Sequence, residues 1–579
     1  MRQKTKSRST LRWLSVVAGK AKKYIVALLI IQTLLGISGV YYALLLRELV
    51  NAAVAKDESG FRKAVASFVV LVLLQIALRA MHRFLEEFSK STMENCFKSR
   101  LFCALLRKDY ASVTRVNSGE WMNRLTSDTQ VVAEGMAQIL PGVAGMAVKM
   151  AGALAAILLL EPRFLYILVP GGMLMFFFTY SFRRILKTLH KKIQEADGRL
   201  RVFFQERLGA MLIVRTFAQE PQTEKQAEQR MYEHRKARMQ RNHFSNACNV
   251  GFGAAMNGAY VLGAIFCGYG ILTGTMSYGN LMAILQLISQ IQNPFANITG
   301  YLPKYYAMLA SAERLMEAED YPEDCPGEAI SRQQREQFYR EDFEGLEISG
   351  ASFTYQPPVS GQGEPESMPV VFSNISLTIR KGQYVAFTGP SGCGKSTVLK
   401  LLMRLYPLDA GTCSLLTRNG RMPLTSQWRG LFAYVPQGNQ LLSGTIREII
   451  AFGDPENMRR DEELKRALTI ACAQEFVEGL KQGIDTLLGE RGTGLSEGQM
   501  QRIAIARAVF SDHPILLLDE ATSSLDEEVE AKLLANLRRM TDKTVVIVTH
   551  RTAVLSICDV DINFGKLTRN MPMERKLER

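Results

Sequence analysis

Eight residues, Gly389-Pro390-Ser391-Gly392-Cys393-Gly394-Lys395-Ser396, fit the pattern G-x-x-x-x-G-K-[ST]. That pattern describes a phosphate-cradling loop between a strand and a helix. Tyr384-Val385-Ala386-Phe387-Thr388 precedes it as a strand, and a helix opens at Thr397-Val398-Leu399. Glycines let the backbone bend until several N–H groups face one anion. The new helix adds its positive end at the same place. Gly389, Ser391, Gly392, Cys393, Gly394 and Thr397 are therefore expected phosphate contacts. Lys395 supplies a point charge for the outer phosphates, and Ser396 an oxygen for Mg²⁺.

A second constellation lies about 120 residues on. Ile515-Leu516-Leu517-Leu518-Asp519-Glu520 reads as a buried strand ending in two carboxylates. Ligands gather at the carboxyl ends of parallel strands. Asp519 is the expected Mg²⁺ carboxylate, and Glu520 the group that polarises the attacking water. Between the two, Leu495-Ser496-Glu497-Gly498-Gln499 opens a helix. Serine there is first of all an N-cap, and such a helix start is also an anion site.

Bulk properties point to a membrane. The 579 residues carry a net charge of +14, yet 47% are hydrophobic and only 22% charged. That balance argues against a nucleic-acid partner. The nine cysteines are an odd number with no C-x-x-C, which argues against a disulfide framework or zinc site. A span needs about 20 mostly apolar residues. Six stretches qualify: 24–46, 64–84, 139–160, 164–182, 247–272 and 280–301. The first reads as a retained span, not a cleaved leader, and residues 11–20 as a short interfacial helix.

The segment 183–243 holds 15 Lys/Arg against 7 Asp/Glu, and 86–135 is also basic. Positive connections mark the cytoplasmic side. Both long connections and both termini are thus inside, the protein being expected in the cytoplasmic membrane of a bacterium. Helical spacing persists through the long connections. The membrane helices continue into the cytoplasm and turn back through short transverse helices near 111–121 and 211–222. Residues 319–344 are acidic and broken, hence a linker. Beyond it strands alternate with helices, an α/β pattern; residues 356–369 form a Pro/Gly/Ser-rich insert. The fold class is multidomain: an all-α six-helix transmembrane domain (1–318), then an α/β P-loop domain with a helical subdomain (345–579).

The order of phosphate loop, Ser-x-Gly-Gln and Asp519-Glu520 strand resembles the ATP-binding cassette (ABC) transporters. The resemblance implies ATP and Mg²⁺ as cofactors and a dimer in which Ser496 and Gly498, with Gln499, meet the γ-phosphate held by a second half-transporter. It implies that Tyr355 stacks on adenine and that Gln437 touches Mg²⁺ and senses the membrane domain. His550 would contact the γ-phosphate and Ser523-Ser524-Leu525-Asp526 would be exchanged between subunits. Gly489-Glu490-Arg491-Gly492 is similar to a segment typical of exporters. Glu497 departs from the family's commoner glycine, and the basic tail after Asp559 implies a curtailed last strand.

Gln286, Gln290, Asn293 and Asn297 fall within a 60° stripe of the sixth span, with Asn246, Asn249 and Asn257 on the fifth. They line the path of an amphipathic cargo (drug, lipid or peptide) or act as interhelical glue. Few charges lie deep in the spans, which leans against a strongly ionic cargo. The expected activity is ATP-driven export by alternating access. The alternatives are the competent half of a heterodimer with one degenerate site, and an ATP-gated regulatory protein. Peptide maturation by a peptidase-like domain ahead of the first span is not expected.

Overall fold

The computed structural model describes residues 2–324, 330–357, 368–438, 441–489 and 494–567. The chain divides into two compact units, Met1–Ser99 with Arg124–Met316, and Arg100–Asn123 with Glu317–Arg579. The expected boundary at 318 thus falls beside Met316. The second unit also includes the turn at the end of the second span.

The first unit is helical. Its elements are α1 (Arg2–Ala18), α2 (Lys22–Val54), α3 (Glu58–Arg107), α6 (Thr129–Leu160), α7 (Leu165–Gly209), α8 (Met211–Thr216), α9 (Glu220–Leu272) and α10 (Tyr278–Glu317), with α4 (Tyr110–Thr114) and α5 (Ser118–Asn123) between α3 and α6. Each expected span lies inside one long helix, except that Phe164 belongs to the turn just before α7. Among the described residues, α2, α3, the stretch Ser118–Leu160 and α9 are long and apolar enough to cross a membrane. Short helices α4, α5 and α8 stand where the turns near 111–121 and 211–222 were expected. With no water at membrane depth, every backbone group must be bonded within the helix.

Small residues bring α2 and α6 together. A Cβ on Gly36 would lie 3.2 Å from the Gly145 carbonyl and 3.3 Å from the Lys149 backbone nitrogen. Such close approach replaces the hydrophobic drive that lipid does not supply. Further along, α6 begins after a π-helical turn, Arg124–Asp128. Asp128 is almost fully buried and accepts from Arg314 Nε at 2.7 Å and Ser311 Oγ at 2.8 Å. This pair, its carboxylate buried and its guanidinium 44% exposed, pins α6 to the end of α10. Removing Arg314 would leave the buried Asp128 carboxylate without its cation.

The second unit carries three sheets. The antiparallel one contains Phe343–Thr354, Val370–Arg380, Ala410–Thr417 and Gly420–Pro423. The parallel one runs in the order Val560–Asn563, Tyr384–Thr388, Thr544–Val548, Ile515–Asp519 and Phe432–Val435. Its central strand Thr544–Val548 is buried at every position, as a sheet covered on both faces requires. The expected linker, 319–344, includes residues 325–329, which lie outside the described residues. The same segment contains α11 (Arg332–Glu341), whose Ser331 and Gln334 form a capping box, and a strand begins at Phe343. The last strand, Val560–Asn563, pairs along Val385–Thr388. Of the 356–369 insert, residues 358–367 lie outside the described residues, as do 490–493 of the expected exporter segment.

Candidate functional site

Parallel register assembles the site. Val548 pairs with Phe387 on one side and Asp519 on the other, while Val435 pairs with Leu518. The carboxyl ends of four strands therefore align. The phosphate loop, Gln437, Asp519-Glu520 and His550 all leave the sheet on one edge.

The loop has the backbone its glycines allow. Gly389, Gly392 and Gly394 have φ of 130°, 80° and 95°, a region L-residues avoid. A Cβ on Gly394 would also meet the Phe372 ring at 2.8 Å. Lys395 is buried and its Nζ donates to the Gly389 and Pro390 carbonyls at 2.9 Å each. Ser391 and Gly392 are exposed at the loop's outer turn, whereas Thr397 is buried. The Cys393 thiol is half-buried, with Sγ 3.8 Å from Lys395 Nζ. Alkylation of Cys393 should abolish ATP turnover, and ATP should slow the labelling. Intact turnover after complete modification of Cys393 would contradict the placement of nucleotide over this loop.

Ser396 Oγ donates to Asp519 Oδ1 at 2.7 Å, and the Tyr434 hydroxyl donates to Asp519 Oδ2 at 3.1 Å. Burial pushes the Asp519 carboxyl above its ordinary range, against the two hydrogen bonds that lower it. A divalent cation there would favour the ionised form. The donors, a hydroxyl and a carboxylate with an amide and a second carboxylate close by, are hard oxygens that suit Mg²⁺.

Glu520 has φ 51°, unusual for a residue with a Cβ. Its N–H donates to the Val548 carbonyl at 3.1 Å, which ties the strained turn to the neighbouring strand. Gln437 Nε2 donates to Glu520 Oε2 at 2.7 Å, and His550 Nε2 lies 3.4 Å from Glu520 Oε1. The carboxylate is thus held from both sides. Strain of this kind persists where surrounding contacts over-determine it, often at sites of chemistry.

Tyr355 bonds Thr397 Oγ1 at 3.0 Å and packs edge-on against Phe353 and Tyr406. That gives a fixed ring beside the phosphate loop. Ser496 and Gln499 form a capping box on the helix Glu497–Phe510. The Gln499 amide oxygen accepts from the Ser496 N–H at 2.9 Å, so this side chain serves the cap. Glu497 is exposed in the first turn, where a carboxylate complements the helix dipole. Gly498 is needed for space: a Cβ would lie 2.8 Å from the Ser524 carbonyl.

Three residues escaped the sequence reading. Gln501, buried, donates to Ser523 Oγ and accepts from the Ser524 N–H, both at 3.1 Å. Arg551 donates to the Ser523 carbonyl at 2.7 Å and to Glu530 at 2.8 Å. Together they hold the 523–526 loop against the helix that carries Ser496. Tyr434 is the third. All three sit beside motif residues, at one to three positions' distance, which was the available signal.

The polar stripes divide. Gln290 is buried, and its Nε2 donates to the Gly39 carbonyl at 2.5 Å, the glue reading of that residue. Gln286 is half-buried, whereas Asn246, Asn249 and Asn257 are exposed. The side chains of Asn293 and Asn297 lie outside the described residues. The structure adds a charge the span reading passed over. Lys149, half-buried on α6, comes close to Gly39 on α2, and Arg79 lies in the expected second span on α3.

Comparison with known proteins agrees with this geometry. A family model described as the ABC transporter transmembrane region matches residues 25–295, and one described as ABC transporter matches 372–523. The chain is 30% identical to the mitochondrial ATP-binding cassette sub-family B member 10 of Mus musculus, over 85% of this chain and 67% of that one. It is 29% identical to an ATP-dependent lipid A-core flippase of Dechloromonas aromatica (strain RCB), over 89% and 87%. A solved bacterial Atm1-family ABC exporter with ATP bound superposes with a TM-score of 0.76 at 21% identity, covering 94% of each chain. That last likeness concerns the fold.

Proposed function

Because this chain belongs to the ABC transporters, as a half-transporter of the exporter type with membrane and ATP-binding domains fused, we propose that two copies hydrolyse ATP to move an amphipathic cargo out across the membrane. The observation that carries the reading is the Glu520 carboxylate. It is held between Gln437 and His550 at 2.7 and 3.4 Å, one residue from the Asp519–Ser396 pair.

Each residue then has a task. The loop N–H groups and Lys395 bind the β- and γ-phosphates. Ser396, Asp519 and Gln437 would hold Mg²⁺, which supplies charge neutralisation at the phosphoryl oxygens. Glu520 accepts the proton of the attacking water as its oxygen bonds to phosphorus and the ADP oxygen leaves. His550 steadies the γ-phosphate, and Tyr355 stacks on adenine. Ser496 and the Gly498 backbone close the site from the second copy, by the same helix-start electrostatics as the phosphate loop. ATP favours the closed pair of cassettes through its differential affinity for that state. Release after hydrolysis resets the membrane helices.

Lys149 and Arg79 refine the cargo. Cations within membrane helices mark a functional path more often than a structural one. They favour an amphiphile bearing negative charge over a neutral one. The test is ATP turnover by this chain alone in liposomes, against anionic, neutral and cationic amphiphiles of matched tail length. Stimulation by the anionic set, lost in Lys149→Ala, supports the reading. Stimulation by the cationic set alone would reject this cargo class. An inert chain that becomes active with a second, related half-transporter would replace the homodimer by a heterodimer.

A further inference from the structure

The amide of Gln290 is only half used. Its Nε2 donates to the Gly39 carbonyl of α2 at 2.5 Å. Its Oε1 is buried and has no hydrogen-bond partner among the described residues. Chemistry fixes which atom is which, because an amide oxygen facing the Gly39 carbonyl would repel it. The residue is 5% exposed. A buried acceptor without a donor is costly, and nearly all such groups in native proteins are paired. The spare oxygen of Gln290 therefore marks a place where a donor can arrive from outside the chain.

Lys149 of α6 borders the same space. A Cβ on Gly39 would lie 3.0 Å from Gln290 Oε1 and 3.7 Å from Lys149 Cε. The side chain that Gly39 lacks thus leaves a gap with an acceptor on one wall and a cationic stem on the other. Elsewhere on α6 charge is matched, Glu134 lying 3.3 Å from Lys304 Nζ. Lys149 is half-buried and forms no hydrogen bond or ion pair among the described residues. A cation at membrane depth is ordinarily paired or lines a functional path.

The depth of the gap is also informative. Gly39, Lys149 and Gln290 come from α2, α6 and α10, each well inside its expected span. One turn further on, the same helices close over an apolar cluster that includes Ala43, Ala153, Ile157, Phe164, Ile284 and Leu287. That cluster lies toward the ends joined by the short connections. The gap stands at the foot of this seal. Sites for transported molecules near the bilayer midplane, reached from one side at a time, have this arrangement.

We propose that Lys149 and Gln290 form a two-point headgroup site, selective for an amphiphile whose anion carries an N–H or O–H donor on the neighbouring carbon. An N-acyl amino acid is the simplest such molecule. The proposal rests on the reading of the cargo as an anionic amphiphile and narrows it. The anion answers Lys149, and the adjacent donor answers Gln290 Oε1. A plain fatty-acid carboxylate satisfies only the first. A site with a buried hydrogen-bonding group discriminates against a ligand that leaves the group unpaired. Gln290 thus separates molecules of equal charge and tail length, which Lys149 by itself does not.

The experiment uses the full chain in liposomes with three probes. N-dodecanoylglycine has the anion and the N–H. N-dodecanoyl-N-methylglycine keeps the charge and the tail but lacks the N–H. N-dodecanoylglycinamide keeps the N–H and lacks the charge. ATP turnover and equilibrium binding are followed against probe concentration. N-dodecanoylglycine should act at a concentration about tenfold lower than its N-methyl counterpart, the scale of one hydrogen bond to a buried acceptor. The glycinamide should be the weakest. Gln290→Leu should bring the two acids to equal potency, and Lys149→Ala should remove the response to both.

Equal potency of the two acids in the unaltered chain, with both lost in Lys149→Ala, would overturn the two-point site and leave the anionic cargo standing. A glycinamide as potent as the acids would remove the anionic cargo itself. A preference for the N–H that survives in Gln290→Leu would come from the shapes of the probes, and would overturn the role given to Gln290. If Gln290→Leu does not fold, Gly39→Ala takes its place with the same criteria. Its methyl group would stand 3.0 Å from Oε1 and screen that oxygen from the donor.

Discussion

Glu520→Gln should abolish turnover while ATP still binds. Glutamine keeps the size and the hydrogen-bonding reach of the side chain, so the turn tied to Val548 and the contacts to Gln437 and His550 have no steric reason to change. What is lost is the acceptor for the water's proton. General-base catalysis contributes roughly 10²–10⁴-fold, and the residual rate should fall by about that factor. Binding should persist because the phosphate contacts lie in the Gly389–Ser396 loop. The measurement is phosphate release beside equilibrium ATP binding on one preparation. Turnover within a few-fold of the unaltered chain would remove Glu520 from the chemistry. Loss of binding together with turnover would mean that Glu520 supports the loop instead.

Lys395→Ala and Ser496→Glu should each silence the protein, and mixing the two chains should revive it. If each site joins the loop of one copy to the helix start of the other, a mixed dimer has one site with both defects and one with neither. Random association makes half of the dimers mixed, so about a quarter of normal turnover returns if the sites fire independently. The reciprocal mixture decides the matter. A chain carrying both substitutions, paired with an unaltered one, spoils both sites across the dimer. A site built within one chain would reverse the two results, because the unaltered copy would then keep a whole site. Ser496→Glu is a suitable partner because Ser496 is exposed and acts as an N-cap. Its loss costs about 0.5–2 kcal/mol, while the new charge opposes phosphate.

The site was unevenly legible. Lys395, Ser396, Asp519 and Glu520 could be read from motif and spacing, since a phosphate loop and a strand ending in carboxylates are local patterns. The roles of Gln437 and His550 came from resemblance. Neither residue type at that position says by itself that Glu520 lies between them. Gln499 shows the opposite limit. Its place in the Ser-x-Gly-Gln run pointed to nucleotide, and the structure adds a capping box on Ser496 that the run did not announce. Gln290 stood on a polar stripe, and the approach of Gly39 made it a tie between helices. Lys149 went unremarked because one lysine hardly alters the hydropathy of a 22-residue stretch. It acquires meaning only beside α2.

What the chain determined by itself was whatever short-range chemistry can dictate. Six apolar stretches must become helices because their backbone groups have no other partners in lipid. Glycines at 389, 392 and 394 permit the left-handed bends the phosphate loop requires. Basic connections give the expected orientation. Tertiary structure alone decided which distant residues meet: Asp128 with Arg314, Gln437 with Glu520, and Tyr110 with Tyr406. Each pair is 83 or more residues apart, and its meeting depends on which strands are neighbours and where each helix turns. Those choices minimise buried unpaired charge and fill the core over the whole unit. No short window of sequence contains both sides of that balance.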